Sequence, residues 1–458
     1  MSGIEQTTAR LAAGEITLLG LWGEPGRVHL AWLDGGRLRH LTQDCPEGRY
    51  PSIGRLHAPA VRLERAARDL YGLTPEGLPD TRPWLDHGAK PTDYRFLPVE
   101  GENLHQVPVG PVHAGVIEPG HFRFTCDGET VVRLEARLGY THKGIEALMT
   151  GAPIASAAKL AGRVSGDSTV AYAIAFAQAV ESALKFEPPV RAIWLRALMA
   201  EMERLANHLG DVGAICNDAA FSLMLAHCAM LRERVLRVTQ QCFGHRLMMD
   251  RIVPGGLDVD LSRKGAEIIR DLADEIGRRF QPLVALYDRT ASLQDRTVAT
   301  GILKPELAAR FGAGGFVGRA SGRAFDARRE LGYAPYDALH FDVPVRNEGD
   351  VNARIWVRII EITQSLRLIG QILDRSPDGP IEASIPEGAG EGLALVEGFR
   401  GDILAYARVA SGRIERCHLR DPSWFQWPLL EAAIEGNIIA DFPLCNKSFN
   451  CSYSGVDL

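Results

Sequence analysis

The spacing of apolar residues near the N-terminus predicts a small α+β unit. Two mainly apolar runs, residues 16–22 and 28–33, flank a Gly-Glu-Pro-Gly turn, and this pattern predicts a β-hairpin. Apolar positions in residues 60–70 return every three or four residues, which predicts a helix that ends near Gly72. Residues 1–100 are therefore expected to form one small domain.

Prolines and glycines separate this unit from the rest of the chain. Residues 79–85 are punctuated by proline and predict a segment that lies across a surface. Residues 100–111 are rich in Gly, Pro and Asn and predict a linker between two domains, 1–100 and 101–458. Just beyond the linker, two apolar runs within residues 122–135 flank an Asp-Gly-Glu turn, which predicts a second hairpin.

The middle of the chain has the periodicity of helices. In residues 193–209 the apolar side chains fall near one helix face, and charged residues such as Arg196 and Arg204 fall on the other. Residues 351–373 again place apolar side chains at spacings of three and four. We therefore expect a long helical bundle over about residues 144–376.

The last part of the chain changes from helical to strand-like patterning. Residues 393–398 and 402–409 read as short strands joined by residues 399–401, and Gly412 marks another turn. This pattern predicts a mixed α/β tail over about residues 380–458 that caps the bundle. The expected fold class is α+β.

The amino-acid composition of the chain disfavours some classes of function. The chain has 458 residues, 46% hydrophobic and 24% charged, with a net charge of -6, which disfavours a nucleic-acid-binding surface. No run of apolar residues has the length of a membrane span, and the N-terminus lacks the pattern of a signal peptide. A cytoplasmic protein is expected, with a peripheral place on a membrane complex left open. Eight cysteines without any Cys-x-x-Cys pair predict buried reduced thiols.

A series of short segments in fixed order carries a family resemblance. The segments are Gly110-Pro111-Val112-His113, 118–123, 127–129, 139–146, 179–181, Glu203-Arg204, 208–210, 244–246, 254–256, 349–351, 420–424 and 440–448. Together they resemble the large subunit of membrane-bound, energy-converting nickel-iron hydrogenases of the formate-hydrogenlyase type, and the quinone-side large subunit of respiratory complex I. Residues 68–72 and 79–82 resemble the small subunit that neighbours the large one in complex I. The resemblance implies a fusion of the two.

The hydrogenase metal site is where this sequence departs from the family. That site uses two Cys-x-x-Cys pairs, because nickel prefers soft thiolate ligands. With Arg163 aligned on the arginine before the first pair, the ligand positions hold Ser165 and Ser168, and in the tail they hold Ser452 and Gly455. A serine hydroxyl stays protonated near neutral pH, and glycine offers no donor atom. The expectation is a hydrogenase-like chain that binds no nickel-iron centre and no other metal or cofactor of its own.

Polar side chains are expected to line the remnant of that pocket. The candidates are Ser165, Asp167, Ser168, Tyr172 and Ser452. Asp167 matches no carboxylate in either relative, and if it is buried it needs a cation, for which Arg163 and Arg400 are the candidates. It then acts as a proton relay or polar ligand site, or it is a structural salt-bridge residue.

Other candidates come from matched family positions. Glu146 matches the glutamate that shuttles protons beside the metal in hydrogenases, and the alternative is a residue that complements a helix dipole. Arg400 matches the arginine that lines the hydrogenase pocket. Glu203, His208 and Asp441 also match family positions, and a buried structural network is the expectation for them.

A quinone site is the alternative to a metal site. In complex I a tyrosine near the first motif and a histidine in the preceding loop bind the quinone headgroup. The tyrosine position here is Gly166, whereas His113 matches the histidine, so half of the pair is present. Quinone therefore stays a possible cofactor.

The resemblance also implies partners and a role. The partners are a small iron-sulfur subunit that carries a cluster, a ferredoxin-like subunit and antiporter-like membrane subunits, on the cytoplasmic face of the membrane. The implied role is to couple electron transfer to proton or ion movement; a quinone oxidoreductase subunit and a structural scaffold are the alternatives. An open apolar channel would favour the quinone, whereas a pocket filled by side chains such as Tyr172 and Phe399 would favour the scaffold.

Overall fold

The computed structural model describes residues 3–85, 87, 94–115 and 117–458. Its helices are α1 Gly3–Ala12, α2 Val61–Tyr71, α3 Ile145–Met149, α4 Ile154–Ala161, α5 Thr169–Ala183, α6 Val190–Asp218, α7 Ser222–Phe243, α8 Arg263–Arg289, α9 Ala291–Thr297, α10 Pro305–Arg310, α11 Gly315–Arg319, α12 Ala327–Glu330, α13 Val351–Arg375, α14 Ser423–Ala433 and α15 Phe442–Phe449. Its strands are β1 Thr17–Glu24, β2 Arg27–Asp34, β3 Arg37–Asp44, β4 Arg49–Pro51, β5 Thr74–Glu76, β6 Leu104–Val109, β7 His121–Asp127, β8 Thr130–Arg137, β9 Ile252–Val253, β10 Gly256–Leu257, β11 Ala389–Glu397, β12 Asp402–Ala410 and β13 Arg413–Arg420.

The N-terminal hairpin and helix form as predicted. Strands β1 and β2 pair antiparallel, and α2 packs against β1. Helix α2 ends at Gly72, whose φ of 67° lies in the left-handed region where glycine is favoured. Strand β3 completes the sheet beside β2 and was not predicted. Its side chains are mostly half-exposed or exposed, so it lacks the apolar run that marks a strand in sequence.

The predicted linker is wrong, because residues 104–109 form strand β6. This strand pairs with β7, which in turn pairs with β8 in the predicted second hairpin. Pro108 misled the interpretation, since proline is tolerated on the edge strand of a sheet, where its missing N–H is not needed.

The proline-punctuated segment is anchored more deeply than expected. Trp84 is 1% exposed, and its backbone N–H donates to Asp69 Oδ2 at 2.5 Å. The guanidinium carbon of Arg62 lies 4.6 Å from the centroid of the Trp84 ring. A large aromatic side chain gains most when it is buried, which draws this segment into the core.

Four long helices form the centre of the protein. Helix α6 packs against α7 and α13, and α8 packs against the same two. The expectation of a polar face on α6 is wrong: Arg196, Glu201 and Arg204 are 3%, 0% and 1% exposed. A central helix has neighbours on all sides, so its charged residues find buried partners instead of water. The predicted bundle is also interrupted, since residues between α9 and α13 form only short helices within long loops.

The tail forms the predicted strands and caps the bundle. Strands β11, β12 and β13 make an antiparallel sheet, and α5 packs on it. Leu19 and Trp22 of β1 share a hydrophobic cluster with Leu404 and Tyr406 of β12. The N-terminal region and the rest of the protein thus share a core, although the division at residue 100 stays a prediction. The fold is mixed α/β, with a helical centre and several small sheets.

Candidate functional site

Two short segments from distant parts of the chain meet at one place, as the sequence predicts. Residues 165–168 lie just before α5, where Ser165 precedes a short 3-10 turn. The C-terminal segment begins where α15 ends at Asn450, whose φ of 49° turns the chain back. Arg400, in the loop between β11 and β12, bridges the two: it bonds Asp167 Oδ2 at 2.6 Å and the carbonyl oxygen of Asn450 at 2.5 Å.

Asp167 is the centre of the first segment. Ser165 Oγ donates to Asp167 Oδ1 at 2.6 Å, and Ser168 Oγ lies 3.3 Å from the same oxygen. Arg400 Nη1 also donates to Ser168 Oγ at 3.1 Å. Of the two predicted cations, Arg400 is therefore the partner. Arg163 pairs with Asp250 instead, at 2.6 Å.

The ion pair keeps Asp167 charged. Burial would raise the pKa of its carboxyl, but the Arg400 guanidinium and the hydroxyl of Ser165 outweigh burial and hold the pKa below its ordinary value. Its side chain is 33% exposed and that of Arg400 only 4%. The group is an ionised carboxylate with a fixed partner.

Glu203 is a second carboxyl group at this place with the opposite behaviour. It lies on α6 and accepts the N–H groups of Val170 at 2.7 Å and Ala171 at 3.1 Å, at the start of α5. Burial raises the pKa of Glu203 to about 8 in spite of these two bonds, and the charge of Asp167 adds to the rise. The pKa of Glu203 therefore lies close to the neutral range. The sequence predicts only a structural network for Glu203. It does not predict the raised pKa, because the burial that causes it depends on tertiary packing.

A group of charges fastens the C-terminal segment to the central helices. Asn450 Nδ2 donates to both oxygens of Asp211 at 3.1 Å, and Lys447 Nζ lies 3.2 Å from Asp211 Oδ1. Arg358 of α13 bonds Asp211 at 3.2 Å and the carbonyl oxygen of Ser448 at 2.8 Å. The second motif is thus held rigidly against α6 and α13.

The buried network continues away from the site, as expected for His208. His208 Nε2 lies 2.6 Å from Glu361 Oε2, and Arg319 bonds Glu361 at 2.8 Å and Glu397 at 2.9 Å. Burial, together with the charge of Asp326, raises the pKa of Glu397 to about 7. Asp441 does not belong to this network: it pairs with Arg296 at 2.8 Å near the surface.

The other two ligand positions, Ser452 and Gly455, lie in the C-terminal segment. Ser452 Oγ accepts the N–H of Gly455 at 2.9 Å, so its hydroxyl closes a turn. A Cβ atom on Gly455 would lie 2.6 Å from the carboxyl carbon of Asp421. Asp421 in turn accepts the hydroxyl of Tyr172 at 2.6 Å. The turn at Ser452, with Gly455 and Tyr172 packed around Asp421, fills the space of the second motif.

These side chains do not fit a nickel-iron centre. The four positions offer three hydroxyls and no thiolate, and Arg400 places a fixed positive charge 3.1 Å from one of those hydroxyls. Cys451 lies next to a ligand position, but burial raises the pKa of its thiol well above the ordinary value. Burial likewise raises the pKa of Cys445 to about 11, so both sulfurs stay protonated.

Glu146 lies in a different place from Asp167. Its carboxylate bonds Arg416 at 2.8 Å and His418 Nδ1 at 2.8 Å, beside a cavity of about 40 Å³ lined in part by Trp22 and Tyr71. Burial would raise its pKa, but His418 and Arg416 outweigh burial and lower the pKa to about 2. Among the described residues no hydrogen bond or ion pair joins Glu146 to Asp167 or Arg400.

His113 reaches the second motif. Its Nε2 atom lies 3.3 Å from the hydroxyl of Tyr453, the residue after Ser452. The resemblance to complex I predicts a tyrosine near the first motif, but this chain has Gly166 at that position. The tyrosine that meets His113 instead comes from the C-terminal segment, which no local signal in the sequence could have paired with it.

Little space remains beside Asp167. The cavity there has a volume of about 10 Å³ and is lined in part by Glu203, Asn207 and Met248. This is about the space that one water molecule needs. Tyr172 and Phe399 are 0% and 1% exposed and pack into the core nearby. The site is filled by side chains.

The fold and the site define a class of protein. A helical centre joins two distant short motifs at one buried polar site, and a three-stranded sheet caps it; this is the arrangement of a hydrogenase-type large subunit. In the part of the chain that the structure describes, no helix is both long and apolar enough to cross a bilayer.

Known proteins give the family. Residues 218–388 match the sequence pattern of the respiratory-chain NADH dehydrogenase, 49 Kd subunit. Formate hydrogenlyase subunit 5 of Escherichia coli (strain K12) is 32% identical over 444 residues, which cover 90% of this chain and 78% of that protein. Carbon monoxide-induced hydrogenase of Rhodospirillum rubrum is 32% identical over 352 residues, covering 76% of this chain and 98% of that protein. This chain belongs to the family of large subunits that membrane-bound hydrogenases share with complex I.

A solved structure gives the same result for the fold. A chain in the membrane-bound sulfane sulfur reductase, an archaeal respiratory membrane complex, superposes with a TM-score of 0.73 at 27% identity. The match covers 78% of this chain and 99% of that one. The expected hydrogenase-like and complex I-like character is thereby confirmed.

Proposed function

We propose that this chain is the large subunit of a membrane-bound, energy-converting complex, and that its former metal site is a buried proton-exchanging site. In this role the site couples electron transfer in a partner subunit to proton or ion movement. The observation that carries the proposal is the pair of carboxyl groups at the metal position: Asp167 is ionised, and the pKa of Glu203 is raised to about 8.

Asp167 and Glu203 have different roles in the proposed site. Asp167 keeps its charge, because Arg400 stays beside it whatever the pH near neutrality. Glu203 is mostly protonated at pH 7, and it loses its proton when the local potential becomes more positive. An electron that arrives on a nearby cluster makes the potential more negative, which favours proton uptake by Glu203. The change of charge is the signal that reaches the rest of the protein.

The buried network offers a path for that signal. Arg204 on α6 donates to the carbonyl oxygens of Glu397 and Gly398 at 2.8 Å, close to the loop that carries Arg400. Glu397, whose pKa is raised to about 7, can change charge over the same pH range as Glu203. A shift in one group therefore alters the field at the other through short, desolvated contacts.

The partners follow from the family. We infer a small iron-sulfur subunit that holds the nearest cluster, a ferredoxin-like subunit and antiporter-like membrane subunits, with this chain bound at the cytoplasmic face. Residues 1–100 would act as the fused small-neighbour domain and residues 101–458 as the large-subunit domain.

A structural scaffold is the second candidate. It is favoured by the filled site, where Tyr172 and Phe399 are buried and the cavity beside Asp167 has a volume of about 10 Å³. Oxidation or reduction of a quinone would need another place, and the 3.3 Å contact of His113 with Tyr453 is the pair of side chains that would offer it. Loss of quinone reduction in Tyr453→Phe would identify that role.

The test measures proton uptake on reduction. The complex is isolated from membranes and reduced electrochemically through a mediator dye, and the protons taken up are counted in weakly buffered solution between pH 6 and 9. Wild type is expected to take up most protons near pH 8, and Glu203→Gln to take up as much as about one proton fewer per complex. Equal uptake in both, with unchanged electron transfer, would leave the scaffold as the function.

A matched control separates chemistry from folding. Glu181 is another buried carboxyl group, but its partner is an arginine: its oxygens accept hydrogen bonds from Arg196 at 2.7 and 3.0 Å. Glu181→Gln is expected to leave proton uptake unchanged. Nickel analysis by mass spectrometry and hydrogen uptake with an artificial dye complete the test, because stoichiometric nickel with hydrogen oxidation would overturn the proposal.

A further inference from the structure

We propose that His87, His142 and Asp457 bind a divalent transition-metal ion, with zinc as the best fit. The three residues come from the end of the N-terminal region, the loop before α3 and the C-terminal segment. Two imidazoles and one carboxylate are a ligand set that zinc accepts, and three protein ligands leave one position for water. This site is separate from the four former ligand positions and does not depend on the function proposed above.

The distances place the three donors around a common point. Asp457 Oδ1 lies 2.7 Å from His87 Nε2 and 3.4 Å from His142 Nδ1. The three donor atoms all lie within 4.8 Å of one another. Zinc bonds of about 2.0–2.2 Å in tetrahedral geometry require donors roughly 3.3 Å apart. The 2.7 and 3.4 Å separations of Asp457 Oδ1 from the two histidine nitrogens lie close to that value.

The carboxylate is oriented for such a role. Asp457 Oδ2 accepts the backbone N–H of Thr141 at 2.8 Å, which fixes the plane of the carboxylate and leaves Oδ1 directed at the two histidines. A partner that orients a ligand in this way is a regular feature of metal sites. Among the described residues the ion-pair partners of Asp457 are His87 and His142 only. A buried carboxylate needs a positive charge, and a metal ion supplies it.

The side chains of His87 and His142 lie against each other and are partly exposed. Their rings stack with centroids 3.9 Å apart and planes 27° apart, which brings the two imidazoles to one place. Their side chains are 27% and 36% exposed, so an ion can enter from solvent. A metal ion at this place would tie the N-terminal region to the segment that follows Ser452.

The experiment is a titration of the untagged full chain with Co²⁺ after chelator treatment. Histidine and carboxylate ligation gives four-coordinate Co²⁺ an absorption band in the visible range that Zn²⁺ then abolishes. One Co²⁺ per chain is expected. His87→Ala and His142→Ala are each expected to weaken binding by at least about 10- to 100-fold, the loss seen when even an orienting partner of a ligand is removed.

The controls decide between a metal site and a hydrogen-bonded cluster. His227 lies exposed on α7, and His227→Ala should bind Co²⁺ as wild type does. Zn²⁺ should raise the melting temperature of wild type and of this control, but not that of His142→Ala. Binding that is equally weak in wild type and in His142→Ala would overturn the proposal, and so would a Zn²⁺ effect on stability that persists in that variant.

Discussion

The carboxylates of Asp167 and Glu146 were expected to share one site, and they lie in two very different ones. Both bond an arginine from the C-terminal sheet region, Arg400 at 2.6 Å and Arg416 at 2.8 Å. Only Asp167 has a second carboxyl group close by whose pKa lies near neutrality, namely Glu203. The partners of Glu146 are an arginine and a histidine, and both keep its pKa low.

The difference concerns what a buried charge can do. A carboxylate bonded by an arginine and a histidine, like Glu146, keeps a low pKa and stays ionised over the physiological range, and it is suited to fasten α3 to the sheet. A carboxylate next to a neutral acid, like Asp167 beside Glu203, belongs to a pair whose total charge can change by one. Carboxyl groups in the same fold thus have different surroundings: those of Glu146 suit an anchor, and those of Asp167 and Glu203 suit the proposed proton-exchanging site.

The strongest test of this comparison is the pH dependence of stability. The folded pKa of Glu203, about 8, lies above its ordinary value of 4.5, so its contribution is present below pH 4.5 and is lost as pH rises through 8. The free energy of unfolding of wild type should therefore fall, relative to Glu203→Gln, by about 1.4 kcal/mol per pH unit across that window. Urea denaturation from pH 5 to 9 measures this difference.

Glu146→Gln is the matched variant for that experiment. The pKa of Glu146 is lowered to about 2, so its contribution is present above pH 4.5 and is lost as pH falls toward 2. This variant should differ from wild type in its acid limb and follow it between pH 5 and 8. If the two variants changed the same limb, the distinction between an anchor and a proton-exchanging site would be wrong.

The next prediction concerns the loss of the arginine partner of each carboxylate. Arg400→Gln leaves Asp167 without its partner and should cost about 3 kcal/mol of unfolding free energy, at the low end for a buried pair because Asp167 is partly exposed. Arg416→Gln should cost at least as much at Glu146. Denaturant titration of the full chain at pH 7 gives both values.

The double variant Arg400→Gln/Asp167→Asn tests the cause. It should regain part of the loss, because the uncompensated charge is gone. If single and double variants were equally unstable, the bond from Arg400 to the carbonyl oxygen of Asn450 would be the contact that matters.

The smallest effect concerns the former ligand positions themselves. Gly455→Ala places a Cβ atom 2.6 Å from the carboxyl carbon of Asp421, and overpacking of this kind costs roughly 1–2 kcal/mol. Gly166→Ala meets nothing within 4 Å and should change stability by less than about 0.5 kcal/mol. Thermal unfolding compares the two. A neutral Gly455→Ala would mean that the second motif has room for a side chain.

Local patterns were sufficient for the elements that bury one clear face. Helix α2 with its end at Gly72, the two predicted hairpins, helix α13 and the strands of the tail all follow from apolar spacing and turn residues. Strand β3 and strand β6 escaped, because one is exposed and the other contains Pro108. Their pairing depends on neighbours that the local sequence does not contain.

The sequence predicts where the site lies, but it does not predict the ion pairs or the pKa values of the groups in it. Family order brought Ser165, Ser168 and Ser452 to one region, and the charge of Asp167 required a cation. Which arginine met it was not decidable, since Arg400 lies 233 positions away in the chain. The raised pKa of Glu203 was also out of reach, because it depends on burial between α5 and α6. Burial depends on tertiary packing, and local sequence patterns do not predict tertiary packing.

The hydrophobic contact between β1 and β12 has a consequence for how the cell handles this protein. Trp22 packs against Tyr406 of β12 with ring centroids 5.2 Å apart, and the cluster around it would be exposed if the N-terminal region were absent. The two regions belong to one chain, so each copy of one is made together with a copy of the other. A one-to-one ratio, which separate subunits reach only through matched expression, is here set by a peptide bond and maintained by packing.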